Sequence, residues 1–559
     1  MNFKQKLMAC TALLGASLLV PAAAGAQSAS EAAKIERLER QTELLQRQLK
    51  ELQAELAQTK KKTERVEAKV DAAPARAAAA PPTGPVFTKG PPAPPPPEKV
   101  KLTVGGFIAA ESVWRQRNQV NDIGTAFGAI PYPFSPLYNE HEFHGTARQS
   151  RISLLVEGNI DPYQKPTGFY ESDFLGVGNT SNYNQSNSWA LRLRHAYFTY
   201  DNTGWGFHIL AGQTWSLATQ NQVDMTPRKE NIPLTIDANY VVGFNYIRQW
   251  QIRGVVDVAP GIALGVSAEN PAAIVGASTA TAPLGFGGAF ASGGIVNGTV
   301  VNFVNTGGGG DFLQTVNVTT DQAPDIIEKA AFDPGWGHYE IYGLQRFFSD
   351  NTLRCAVGAC VAGSTTMVGT ADNKTTFGAG VGGSVLLPLI PKYLEFTANG
   401  LYGRGVGRYG AGQLPDVTIA ADGSLSLVTG WSAMVGLIGH PWDGLDLYVY
   451  AGQEEVAANF FNIGTTLFGL GNPGFSNATC LVTTPFSFSG GTPTDCIANN
   501  KRLSEITAGF WQNVYKGDYG RVTFGAQYEY IKRKSFVGIG GDVSTDNNIV
   551  MTSVRYYPF

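Results

Sequence analysis

Charge and histidine are scarce in this chain, and beyond its first 26 residues it has no long apolar run. Asp, Glu, Lys and Arg together make up 16% of 559 residues, and the net charge of −3 gives no hint of a nucleic-acid partner. The six histidines (His141, His144, His195, His208, His338 and His440) are scattered, with no HExxH or equivalent ligand spacing. No metal or other cofactor is therefore expected. A Gly-x-Ser-x-Gly elbow before a helix is also missing, and the Gly307–Gly310 run lacks the Lys-Ser/Thr of a phosphate cradle. These gaps argue against an enzyme. With no charge-free stretch of roughly 18 apolar residues after the leader, no transmembrane helix is expected, and any outer membrane must be crossed by strands.

What the chain does have points one way. It carries 66 glycines and many aromatics, 22 Tyr and 30 Phe, a mixture suited to a large β-barrel with aromatic girdles and Gly-rich loops. Residues 1–26 read as a secretory signal peptide: Lys4 and Lys6 form a charged start, Ala12–Val20 an apolar segment, and Ala24-Gly25-Ala26 a small-residue cleavage site. The four cysteines after it fall as two close pairs, which in an oxidising compartment predicts bridges Cys355–Cys360 and Cys480–Cys496.

Residues 27–72 hold a heptad pattern. Ile35, Leu49, Leu56 and Val70 occupy one seam position, and Leu38, Leu45, Leu52 and Val66 the other, with charged and Gln residues flanking. This predicts an α-helical coiled coil, and hence an oligomer, without fixing the number of strands. Residues 73–98 are rich in Ala and Pro and read as an extended spacer.

From residue 99 to 559 the pattern has period two. Between Asn187 and Trp215 one strand carries Leu191, Arg192, Leu193 and Arg194, and a second begins at Trp205 after the turn Asp201–Gly204. Apolar side chains on one face and arginines on the other fit lipid outside and a wet lumen inside. Seven short connections alternate with eight long ones, which requires sixteen strands with both ends on the short-turn side. Parity demands a strand near Asp325–Phe332. The expected fold is all-β: a 16-stranded antiparallel transmembrane β-barrel with an N-terminal coiled coil in the periplasm. The final residue, Phe559, follows an aromatic strand and resembles the signal read by the barrel-insertion machinery.

The segments Thr146–Arg151, Leu191–Tyr197 and Ala211–Trp215 are similar to the dicarboxylate-porin (DcaP-like) family of outer-membrane proteins. This resemblance implies a homotrimer, passive diffusion of small anionic solutes such as dicarboxylates, and a third long loop, 214–240, folded into the lumen. That loop carries Asp224, Arg228, Lys229 and Glu230 as constriction residues. The insertions at 270–324 and 457–500 have no match in the resemblance.

Strand parity points Arg115, Arg117, Arg151, Arg192, Arg194 and Arg253 inward, with Glu111 and Glu157 on the same face. Arg148 and Arg248 have outward parity, so a bulge or rim position must bring them in. Guanidinium matches carboxylate through two parallel N–H donors, so the arginines form a candidate ladder for anions. The competing reading pairs them across the wall with Glu111, Glu157, Glu171 and Asp257. Expected partners are outer-membrane lipid and lipopolysaccharide, the small anionic solutes, and peptidoglycan if the coiled coil reaches it. A rival function follows from that last contact: a structural tether between membrane and cell wall.

Overall fold

The computed structural model describes residues 100–176, 189–276, 323–355, 369–420, 424–463, 466–483, 496 and 498–558, with short strand pieces between 295 and 318. The expected leader, coiled coil and linker, Phe559, and Cys360 of the first predicted bridge all lie outside these residues.

Sixteen strands form the barrel: β1 (Val100–Arg115), β2 (Glu142–Thr146 and Arg151–Gly158), β3 (Gln164–Gly176), β4 (Ala190–Asn202), β5 (Phe207–Trp215), β6 (Arg248–Ala259), β7 (Ile262–Glu269) and β8 (Asp325–Phe332), followed by β9 (His338–Cys355), β10 (Gly369–Ile390), β11 (Leu394–Arg404), β12 (Thr429–Trp442), β13 (Leu445–Val456), β14 (Asn500–Gly517), β15 (Gly520–Ser535) and β16 (Ser544–Tyr557). Each pairs antiparallel with its neighbours in sequence, and β1 closes the ring on β16 from Ile108↔Tyr556 to Arg115↔Ile549. Closure leaves no free sheet edge, the condition for a sheet to survive in hydrocarbon. The parity-demanded strand is present and pairs with both β7 and β9.

Period-two alternation decides what each face meets. On β1, Leu102 and Ile108 are 61% and 62% exposed, whereas Glu111 and Arg115 are 5% and 0% exposed. The same reversal holds on β2 (Ile152, Leu154 and Val156 outward) and on β6 (Trp250, Ile252, Val256 and Val258 outward). A contiguous apolar exterior of this extent is unstable in water and stable in lipid.

One irregularity changes which side chains point in. Phe107 pairs with Arg151 and Glu111 with Thr146, so three residues of β1 face four of β2. The extra residue shifts the parity of β2 between Ala147 and Ser150 and turns Arg148 into the interior, where it is 7% exposed. Gly106 sits beside this shift at φ +131°, and a Cβ there would collide with the backbone of Arg151.

Three long connections fold inward rather than away. Ile123, Phe127 and Ile130 of the first, Ile236 and Val242 of the third, and Ala411 and Leu414 of the loop after β11 share one buried apolar cluster inside the wall. In the loop between β13 and β14, Cys480 and Cys496 are bridged with Cα atoms 4.8 Å apart, and the fully buried Cys480 packs with Tyr132, Ala498 and Val543.

Candidate functional site

The third long loop, 216–247, crosses the lumen. Its backbone has few ladder partners, so its N–H groups must find acceptors inside a crowded interior. Carboxylates on the barrel wall supply them. Glu269 of β7 accepts from Leu217 N–H at 2.8 Å, and Glu340 of β9 from Asn221 at 3.1 Å. Asp333, in the short turn before β9, accepts from Asp224 at 3.0 Å. Across the lumen, Glu505 of β14 and Glu454 of β13 accept from Val242 and Gly243, each at 2.8 Å. Carbonyls are held in turn: Lys329 donates to Thr219 O at 2.9 Å, and Trp511 Nε1 to Leu234 O at 2.7 Å. These wall acids are occupied by the loop, so they cannot serve as free cation sites in the lumen.

The loop backbone is strained where it turns. Asp224 (φ 45°), Arg228 (φ 70°) and Tyr240 (φ 68°) all lie in the left-handed region. Such residues cost about 1–3 kcal/mol each and persist only where their surroundings fix them. The contacts just described do so.

Between this loop and the wall of β2–β5 and β14–β16 lies a cavity of about 510 Å³. It runs from Gln149 and Leu175 toward Arg521 and Tyr557 at the short-turn end, and loop residues Arg228 to Tyr240 form its other side. A second cavity of about 270 Å³ lies past the loop tip, against Asp224–Pro227, His208 and Arg253.

Five arginines line the larger cavity: Arg151, Arg194, Arg228, Arg521 and Arg555. Arg194 pairs with Glu171 at 2.6 Å and Asp173 at 2.9 Å; Arg192 reaches Asp173 at 2.7 Å, and Arg151 reaches Glu171 at 3.8 Å. That network holds three guanidinium groups against two carboxylates. Arg555 pairs with Glu111 at 2.9 Å. Arg228 and Arg521 are exposed to the cavity and form no ion pair among the described residues. They rest instead on aromatic faces, Arg228 over Phe169 at 5.8 Å and Arg521 over Tyr557 at 4.3 Å. A ring face holds a cation without neutralising it.

The loop's own acids are weakened as counter-charges. Burial pushes the Glu230 carboxyl above the usual carboxylate range, against the pull of backbone hydrogen bonds and Arg253. Burial does the same to Asp237, which accepts from the backbone N–H groups of Thr125 and Asn239. Burial would also raise Tyr240, but Arg194, Arg248 and Arg151 outweigh it and hold the phenol below its ordinary value. Negative charge is thus disfavoured on the two buried loop acids and favoured by the arginines at Tyr240.

Several sequence-predicted residues lie elsewhere. Arg115 is fully buried and serves the first loop: it donates to Asn121 O and Asp122 O and pairs with Glu142 at 3.0 Å. Arg117 is paired with Asp546 and Arg148 with Asp122, both at 2.9 Å. These three hold loops against the wall and do not border the cavity, because each reaches a carboxylate before it reaches open lumen. Arg253 borders the smaller cavity and donates to Trp215 O at 2.7 Å. Glu157 is paired with Lys165 at 2.6 Å near the short-turn end. Of the loop residues, Arg228 and Glu230 face the larger cavity, whereas Lys229 pairs with Asp224 at 2.9 Å.

Neither a protein-family model nor a curated protein sequence matches the chain. Solved structures do. The outer membrane channel DcaP of Acinetobacter baumannii superposes with a TM-score of 0.52 and 18% identity, over 82% of this chain and 97% of that one. The chain has the fold of that channel. An anion-selective porin from Comamonas acidovorans (TM-score 0.42, 10% identity) and OprB of Pseudomonas putida (0.41, 12%) each cover 82% of this chain, and 99% and 94% of their own.

Within this DcaP-like barrel, the two cavity arginines that sequence reasoning missed are Arg521 and Arg555. Both had a signal. Arg555 lies between the outward Val554 and Tyr556, and Arg521 shares parity with the inward Thr523.

Proposed function

We propose that the protein is an outer-membrane porin whose lumen, narrowed by the third loop, passes small hydrophilic anions, dicarboxylates among them, by diffusion. One observation carries the reading: an apolar exterior encloses a polar lumen whose narrowed cavity faces two unpaired guanidinium groups, while the wall carboxylates are bonded to the loop or to wall arginines. Selectivity in such a pore comes from width and lining charge. Paired carboxylates on one solute would find guanidinium groups from the loop, at Arg228, and from the wall, at Arg521 and in the Arg151–Arg194 network. The DcaP fold and the resemblance in sequence support assembly as a homotrimer in the outer membrane, with the coiled coil in the periplasm.

Planar-bilayer recording of the full-length protein under a KCl gradient tests this. The expected result is stepwise conductance with a reversal potential on the chloride side. Absence of conductance would favour the rival reading, a tether to the cell wall, and cation preference would refute anion guidance.

A further inference from the structure

We infer that the outward face of β14 and β15, at their long-loop end, binds the phosphorylated headgroup of an outer-leaflet glycolipid. The argument starts from register. Arg502 lies directly opposite Lys534, and Ser504 opposite Lys532, so three cations share one small patch of the wall, joined by Lys501 at its edge. Like charges facing each other across a ladder destabilise a sheet unless an anion lies over them.

The protein supplies only part of that anion. Glu455 takes Arg502 at 2.7 Å and Lys501 at 3.5 Å, and Asp542 takes Lys534 at 2.5 Å. Lys532 is exposed and has no ion pair among the described residues. The acid opposite it on β16, Asp546, is already held by Arg117 at 2.9 Å. Four cations therefore stand against two available carboxylates.

Position along the strands identifies the ligand. On the same face, Ile506, Tyr528 and Tyr530 are 56%, 47% and 37% exposed, which places acyl chains against them. Lys532 and Lys534 follow Tyr530 at successive outward positions, each about 7 Å further along the strand. That is headgroup height, and at the long-loop end, taken as external on the porin reading, the matching headgroup is a phosphorylated glycolipid. The patch also lies outside the lumen, so its occupancy does not depend on conduction.

Retention of lipid by the full-length protein in detergent, read by native mass spectrometry, is the test. Three probes are compared: bisphosphorylated lipid A, its phosphatase-treated form, and phosphatidylglycerol. The wild type should retain lipid A and hold the other two at least about tenfold more weakly, and K532E should lose about tenfold, the scale of one charge-assisted contact. Bilayer conductance of K532E should equal that of the wild type, which separates this proposal from the porin reading. Should K532E fail to fold, judged by mobility of the unheated protein on gels, K532Q is measured in its place. Equal retention of the three lipids, or of lipid A by wild type and variant, would overturn the assignment.

Discussion

At the scale of single residues, a charged side chain in this lumen does one of two jobs, and its partner reveals which. Arg115 is buried with Glu142 and three loop carbonyls. Arg115→Ala should leave the buried Glu142 carboxylate without its guanidinium and destabilise the barrel by about 3–5 kcal/mol. Guanidinium melts followed by gel mobility would show this, while the ion preference of the folded fraction stays unchanged. Glu230 behaves differently. Its carboxyl is held above the ordinary range chiefly by burial, so it takes up a proton before a solvated Glu does as pH falls. Losing a negative charge at the cavity leaves Arg228 and Arg521 less opposed. Anion preference should therefore rise as the pH falls toward the ordinary carboxylate range, before a solvated Glu would titrate. In E230Q most of that rise should vanish, since Asp237 is then the one raised carboxyl left in the loop. A preference that weakens on acidification would contradict the assignment of Glu230 as a counter-charge.

At the scale of elements, the third loop is the part that strand patterning describes least. Its entry into the lumen was implied by the resemblance alone, because a loop has no period to read. The strands were legible, down to β8 at Asp325–Phe332, since alternation and turn residues are local signals. Arg148 shows the limit: its parity pointed outward, and only the extra residue between Ala147 and Ser150 turns it in. The destinations of Glu454 and Glu505 could not be read either, because their partners in the third loop lie more than two hundred residues away in sequence. Glu454 accepts from Gly243 and Gly412 together, at 2.8 and 2.7 Å. Glu454→Ala strands two buried N–H groups at about 1–3 kcal/mol each. The loop should then sit less firmly, and single-channel records should show larger and noisier conductance than the wild type. An unchanged current would mean that the remaining contacts suffice to seat it.

For the whole molecule, the barrel separates its two solvents by parity and then narrows one of them with its own chain. Acids of the wall are spent on holding the loop or on wall arginines, and the cations left facing the cavity give it its sign. The central claim is thus that unpaired arginines, and not the total number of inward arginines, set selectivity. The most direct measurement is the reversal potential of R228A/R521A beside that of R117A under one KCl gradient. Most of the anion preference should be lost in the double variant and kept in R117A, whose guanidinium is paired with Asp546 away from the cavity. Equal shifts in both, or no shift in the double variant, would contradict the account.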